Sequence, residues 1–156
     1  MKKLLACFLA FILVFALVPV SVLVSAAETD SNGVEYTKVG SAYTVSGFSG
    51  TATEIVIPET FNSLPVTAVG DYAFYRCEEV ISISLPETVK AIGEGAFLGC
   101  SSMETVNIPT LLTVIEESVF HGCSALTAVA IPSTVQEIKK RAFFGCSYLE
   151  ALALPE

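Results

Sequence analysis

The sequence predicts a repeat solenoid: a right-handed coil with one parallel β-sheet face and short helical or irregular turns on the other, following an N-terminal leader. Three observations predict it. Cys77, Cys100, Cys123 and Cys146 each lie 23 residues after the last. Phe74, Phe97, Phe120 and Phe143 keep the same step, as do Ala73, Ala96, Val119 and Ala142. Pro86, Pro109, Pro132 and Pro155 complete the phase. A unit of that length cannot bury its own apolar stripe, so it folds only by stacking on its neighbours.

The chain opens with Lys2 and Lys3, an uncharged apolar run from Leu4 to Val24, and the small residues Ser25-Ala26-Ala27. These are the three parts of a secretory leader, expected over residues 1–26, with cleavage after Ala26 or Ala27. An uncleaved membrane anchor is the alternative, against which Pro19 and the small-residue exit argue. Contact with a membrane is therefore expected to be transient, through the leader. Nothing apolar precedes Cys7 to make it a lipid-attachment site. Loss of both leader lysines leaves 6 basic against 16 acidic side chains, a formal charge of −10. That balance argues against nucleic acid as a partner.

Residues 27–50 are expected to form an N-terminal cap segment, and residues 51–156 the 23-residue repeats. Pro58 precedes Pro86 by 28 residues, so the first unit carries a five-residue insertion around Asn62–Val66. The last unit stops at Glu156, incomplete. Within a unit, Val129-Ala130-Ile131 alternates large and small with period two, which marks a short strand that Pro132 ends by denying the next amide. Its counterparts are Ile55-Val56-Ile57, Ile83-Ser84-Leu85, Val106-Asn107-Ile108 and Leu152-Ala153-Leu154. Val135 and Ile138 are expected to point inward. Lys139 to Phe144 are expected to make one helical turn, which Gly145 ends in a left-handed conformation. Gly99 and Gly122 repeat that role, but Arg76 stands in the first unit, so its turn is expected to close differently.

Leu85-Pro86-Glu87-Thr88-Val89-Lys90-Ala91-Ile92-Gly93-Glu94-Gly95-Ala96-Phe97-Leu98-Gly99-Cys100 resembles the repeat of the BspA-like leucine-rich repeat family of bacterial surface proteins. Tyr43 through Ser46-Gly47-Phe48-Ser49-Gly50 to Pro58 is similar to that family's opening unit, and the likeness runs from about residue 34 to 156. Glu116 and Lys139 replace Gly93, and Val119 stands where alanine is usual. The resemblance implies a secreted or wall-associated module for adhesion and protein binding, without shared catalytic residues. The partner it implies is a protein, such as a host matrix or cell-surface component. The alternative is a structural spacer, or the N-terminal fragment of a larger multi-module surface protein.

Catalysis and cofactors find no footing in the residues. A constant step provides no CxxC pair to begin a metal site, and cysteines one coil apart point their Cβ atoms in parallel, which favours buried thiols over disulfides. His121 lies two residues before Cys123 but in a variable, outward position, so a thiol nucleophile with its base is not expected. Gly47-Phe48-Ser49-Gly50 lacks the spacing of a nucleophile elbow, and no glycine-rich phosphate loop is present. Leu85-Pro86-Glu87-Thr88 looks like the start of a wall-sorting signal, yet Ile57-Pro58-Glu59-Thr60 shows it to be part of the repeat.

A partner-binding face follows from the strand alternation. With Val106 and Ile108, or Val129 and Ile131, facing in, the outward residues are Ser82 and Ser84, Thr105 and Asn107, Ala128 and Ala130, then Ala151 and Ala153. They form a smooth, uncharged row. The loops around Arg76, Leu98 and His121 are the next candidates.

Overall fold

The computed structural model describes residues 25–153, so the expected leader lies outside the described residues except for positions 25 and 26. Three strands open the chain: β1 (Glu28–Thr29), β2 (Val34–Val39) and β3 (Ala42–Phe48), joined antiparallel. Val34 and Tyr36 on β2 and Tyr43 and Val45 on β3 are buried while their neighbours face out, the period of a sheet covered on one side. β4 (Glu54–Val56) begins the first coil. β5 (Thr60–Phe61) and β6 (Leu64–Val69) follow, with β6 lying parallel to β3. The hairpin is thereby welded to the first coil.

The insertion is a hairpin of its own. β5 and β6 pair antiparallel through a two-residue turn, Asn62 at φ 46° and Ser63 at φ 64°. Two left-handed residues in succession match the twist of the strands they join. Phe61 is thereby stacked on Tyr36, ring centroids 4.2 Å apart, with Tyr43 edge-on at 5.1 Å.

Later coils carry β7 (Ser82–Ser84), β8 (Ala91–Ile92), β9 (Thr105–Val106), β10 (Val114–Ile115), β11 (Ala128–Ala130), β12 (Glu137–Ile138) and β13 (Ala151–Ala153). Each repeat thus contributes two short strands rather than one. β4-β7-β9 and β11-β13 form the parallel strip that the alternation predicts, each strand opening one residue earlier than expected. β6-β8 and β10-β12 form a second parallel strip.

The first strip is interrupted after β9, and between β7 and β9 the side chain of Asn107 replaces one backbone link. The Ile57 amide donates to the Ser84 carbonyl of the next coil, 2.9 Å away. At the corresponding place the Leu85 amide donates instead to Asn107 Oδ1 at 2.7 Å, and Asn107 Nδ2 donates to the Leu85 carbonyl at 2.8 Å. A side-chain amide has taken the place of the backbone.

Among the described residues there is no helix, so the expected helical turn at Lys139–Phe144 is corrected. Two left-handed residues bracket each turn, four positions apart: Tyr72 and Arg76, Gly95 and Gly99, Ser118 and Gly122, Arg141 and Gly145. Such residues cannot belong to a right-handed helix. Alternate amides also bond across to the next coil, as Tyr72 to Glu94, Phe74 to Ala96 and Arg76 to Leu98 at 2.8–3.0 Å. Arg76, at φ 55°, closes its turn as the glycines do. Its different closure is likewise corrected.

The core is a stack of ladders. Phe74, Phe97, Phe120 and Phe143 lie nearly parallel at 5.3–5.5 Å between successive centroids, and Phe48 of the hairpin joins below at 5.8 Å. Ile55, Ile83 and Val129, then Ile92 and Ile115, line the walls and are buried. Burying a phenylalanine side chain contributes about 1.5–3 kcal/mol, so the stacking between coils supplies stability that no single unit has. Ile138 is 39% exposed, since no described coil stacks beyond it.

Candidate protein-binding face

The strand strip projects two outward rows. One runs Glu54, Ser82, Thr105, Ala128 and Ala151, and the other Val56, Ser84, Asn107 and Ala130. In-phase pairing sets these rows: Glu54 lies opposite Ser82, Val56 opposite Ser84, and Ser82 opposite Thr105. Ser84, Thr105, Asn107, Ala128 and Ala130 are exposed, and Ser82 is partly so. Ile83, Val129 and the pre-proline Leu85, Ile108 and Ile131 are buried, as the alternation requires. Glu54 is the one charge in either row.

Two side chains change the character of this face. Val56 is 68% exposed and gives the smooth row an apolar end. Sequence reasoning began the row at Ser82 and missed it, although the 28-residue offset from Pro58 to Pro86 also relates Val56 to Ser84. Asn107, counted as a free outward residue, is instead fastened to Leu85 by both halves of its amide. Its side chain is held in place. An arginine there would break two hydrogen bonds, unlike one at Ser84 or Ala130.

The cysteines occupy the inner wall of the turn. Cys100 Sγ donates to the Phe74 carbonyl at 3.1 Å, Cys123 Sγ to Phe97 at 3.2 Å and Cys146 Sγ to Phe120 at 3.1 Å. Each thiol pins one coil to the one before. Burial pushes the Cys100 and Cys123 thiols far above the ordinary thiol range, and Cys146, half-buried, up to about 11. A nucleophile needs the thiolate, which burial disfavours here. His121 shares its row with Tyr75, Leu98 and Phe144 and stands edge-on to Phe144 at 5.2 Å. The Cys123 hydrogen goes to a carbonyl of the coil before. No group of three metal-ligating side chains converges among the described residues.

Outside the turn the surface is apolar and acidic. Tyr72 and Tyr75, with Leu98 beside them, stand by Asp71, Glu94 and Glu117. The Tyr72 hydroxyl donates to Glu94 Oε1 at 2.7 Å, and that bond, followed by desolvation and then the negative field of Glu94, Asp71 and Glu117, raises the phenol's pKa. Lys139 Nζ donates to Glu116 Oε2 at 2.6 Å in the positions where the second coil has only Gly93.

Against known proteins, the family described as BspA type leucine rich repeat region matches residues 45–156 in 6 copies. A leucine rich cell surface protein from Faecalibacterium prausnitzii is similar in structure, with 30% identity and a TM-score of 0.75 over 83% of this chain. The chain spans only 33% of that protein's length. A leucine-rich repeat protein from Bacteroides ovatus, at 29% identity and TM-score 0.72, is matched over 82% of this chain and 41% of its own. The leucine rich repeat protein of T. pallidum has 27% identity and TM-score 0.70, over 82% of this chain and 72% of its own. No curated protein matches.

Proposed function

Because this chain belongs to the BspA type leucine-rich repeat family, we propose that it is an exported, non-catalytic module that binds a protein through its strand face at the bacterial surface. One observation carries the reading. Ser84, Thr105, Ala128 and Ala130 stand exposed on successive strands with no charge among them, and Val56 provides an apolar anchor at one end. Small side chains let an extended backbone or protruding side chains approach, and covering Val56 removes apolar surface from water. The leader-like N-terminus and the surface location of the F. prausnitzii relative support export. That relative's greater length also supports a second reading, in which this coil is one part of a larger surface protein.

Plate binding to immobilised extracellular-matrix proteins tests the face. The wild type is expected to bind at least one of them saturably. Ser84→Arg and Ala130→Arg should abolish that binding while leaving the melting temperature unchanged, because neither side chain reaches the core. If both variants bind as the wild type does, the strand face is not the binding surface.

A further inference from the structure

We propose that the turn side of the first two coils is a second docking surface, on which Tyr72, Tyr75 and Leu98, rimmed by Asp71, Glu94 and Glu117, receive an arginine-bearing basic segment of a partner protein. It lies apart from the strand face and does not depend on it.

Tyr72 and Tyr75 are 47% and 46% exposed; among the described residues Phe144 and Tyr148 are more exposed still, so it is the pairing of these two rings and the carboxylates around them that set this place apart. The two tyrosines meet edge to face, 6.1 Å between centroids and 90° between planes. Tyr72 is held on two sides. The Tyr72 ring lies against Gly95, where an added Cβ would come within 2.5 Å of it, and its hydroxyl is held by Glu94. Glu94 is positioned in turn, its amide donating to Asp71 Oδ1 at 2.9 Å. The Tyr75 amide donates to the Tyr72 carbonyl at 3.0 Å. Tyr72 keeps a left-handed backbone, φ 55°, where the next coil uses glycine. Tyr72 is therefore preorganised and offers Tyr75 a fixed ring to pack against, which lowers the entropic cost of contact.

Charge decides the occupant. The whole chain has a formal charge of −8, and the carboxylates of three successive coils act on the Tyr72 hydroxyl. The cation nearest in sequence, Arg76, is engaged with Glu78 at 3.1 Å. Lys139, Lys140 and Arg141 belong to a later coil, where Lys139 is paired with Glu116. An anionic ligand would meet repulsion on this surface. A guanidinium can lie over a tyrosine face while its N–H groups reach the surrounding carboxylates, so the planar arginine suits both features better than lysine does.

The test uses fluorescein-labelled octa-arginine peptide and fluorescence anisotropy at low salt with the folded chain. Tyr75→Ala and Tyr75→Leu leave net charge unchanged, and the second retains apolar bulk without a π face. Both are expected to weaken binding by about threefold to tenfold, the range of one lost cation–π contact. Glu94→Gln should weaken it as well, whereas Glu59→Gln, an exposed carboxylate outside both surfaces, should not. The proposal is overturned if the wild type does not bind, if Tyr75→Leu binds as tightly as wild type, or if Glu59→Gln and Glu94→Gln weaken binding equally. The last outcome would mean diffuse attraction to an acidic protein. None of these outcomes touches the strand-face reading.

Discussion

At the scale of single residues, the cysteines show how a position with a perfect repeat can be legible while its chemistry is not. The spacing of Cys77, Cys100, Cys123 and Cys146 placed them on one inner row, and parallel Cβ directions argued for thiols. Their donation to the phenylalanine carbonyls of the preceding coil was hidden, because it depends on how far successive coils are displaced. A pH dependence follows. In the folded chain burial holds Cys100 and Cys123 protonated, and Cys146 to about 11, whereas an unfolded thiol ionises near about 8.5. Above that pH the unfolded state binds fewer protons than the folded one, so stability falls as pH rises and is fully present below it. The urea midpoint should be flat between about pH 6 and 8 and decline from about pH 8.5 upward. The variant Cys100→Ala/Cys123→Ala should show a shallower decline. A wild-type midpoint that holds steady to about pH 10 would contradict the buried-thiol account.

Among the elements, strands were readable and turns were not. Alternation in Val129-Ala130-Ile131 identifies a strand because a half-buried sheet has only that period. In the turn, Ala142-Phe143-Phe144 reads equally well as helix, and Arg76 reads as an exception to glycine. Hydrogen bonding between coils overrides both readings, since alternate amides there have partners across the stack. Stability should be distributed accordingly. Phe120→Ala is expected to cost about 3–5 kcal/mol, because the ring touches those of Phe97 and Phe143 and the ladder cannot collapse around a hole. Asn107→Leu removes both hydrogen bonds to Leu85 and should cost about 1–3 kcal/mol. Glu104→Ala, exposed, should remain within about 0.5 kcal/mol of wild type. Urea denaturation of the three variants checks the order, and an Asn107→Leu protein as stable as Glu104→Ala would show that the side-chain bridge contributes nothing.

For the whole molecule, the hairpin at one end matters as much as the repeats. It extends the phenylalanine ladder through Phe48 and offers β3 as the edge on which β6 pairs, so the first coil has a neighbour on that side. Its own first residues are tied in, since Glu28 accepts hydrogen bonds from the Tyr43 hydroxyl at 2.9 Å and from Asn62 Nδ2 at 2.6 Å. Leader cleavage after Ala26 or Ala27 would leave that carboxylate in place. Intact-mass measurement of exported protein is accordingly expected to find Ala27 or Glu28 first. Recovery of a chain that retains residues 1–24 from the membrane fraction would establish the anchor instead.

The sequence by itself determined that this chain stacks: a 23-residue step with cysteine, phenylalanine and proline in phase leaves each unit unable to bury its apolar residues alone. It also determined which strand residues face out, since period two depends only on local backbone geometry. The tertiary structure alone decided what depends on one coil's position over the next. That includes the second strip of strands, the left-handed residues that bracket each turn and the thiol–carbonyl bonds. It includes Asn107 standing in for the backbone, and the meeting of Tyr72 with Glu94. These contacts join residues about one repeat apart, where a gain or loss depends on displacements of an ångström or so that no periodicity encodes.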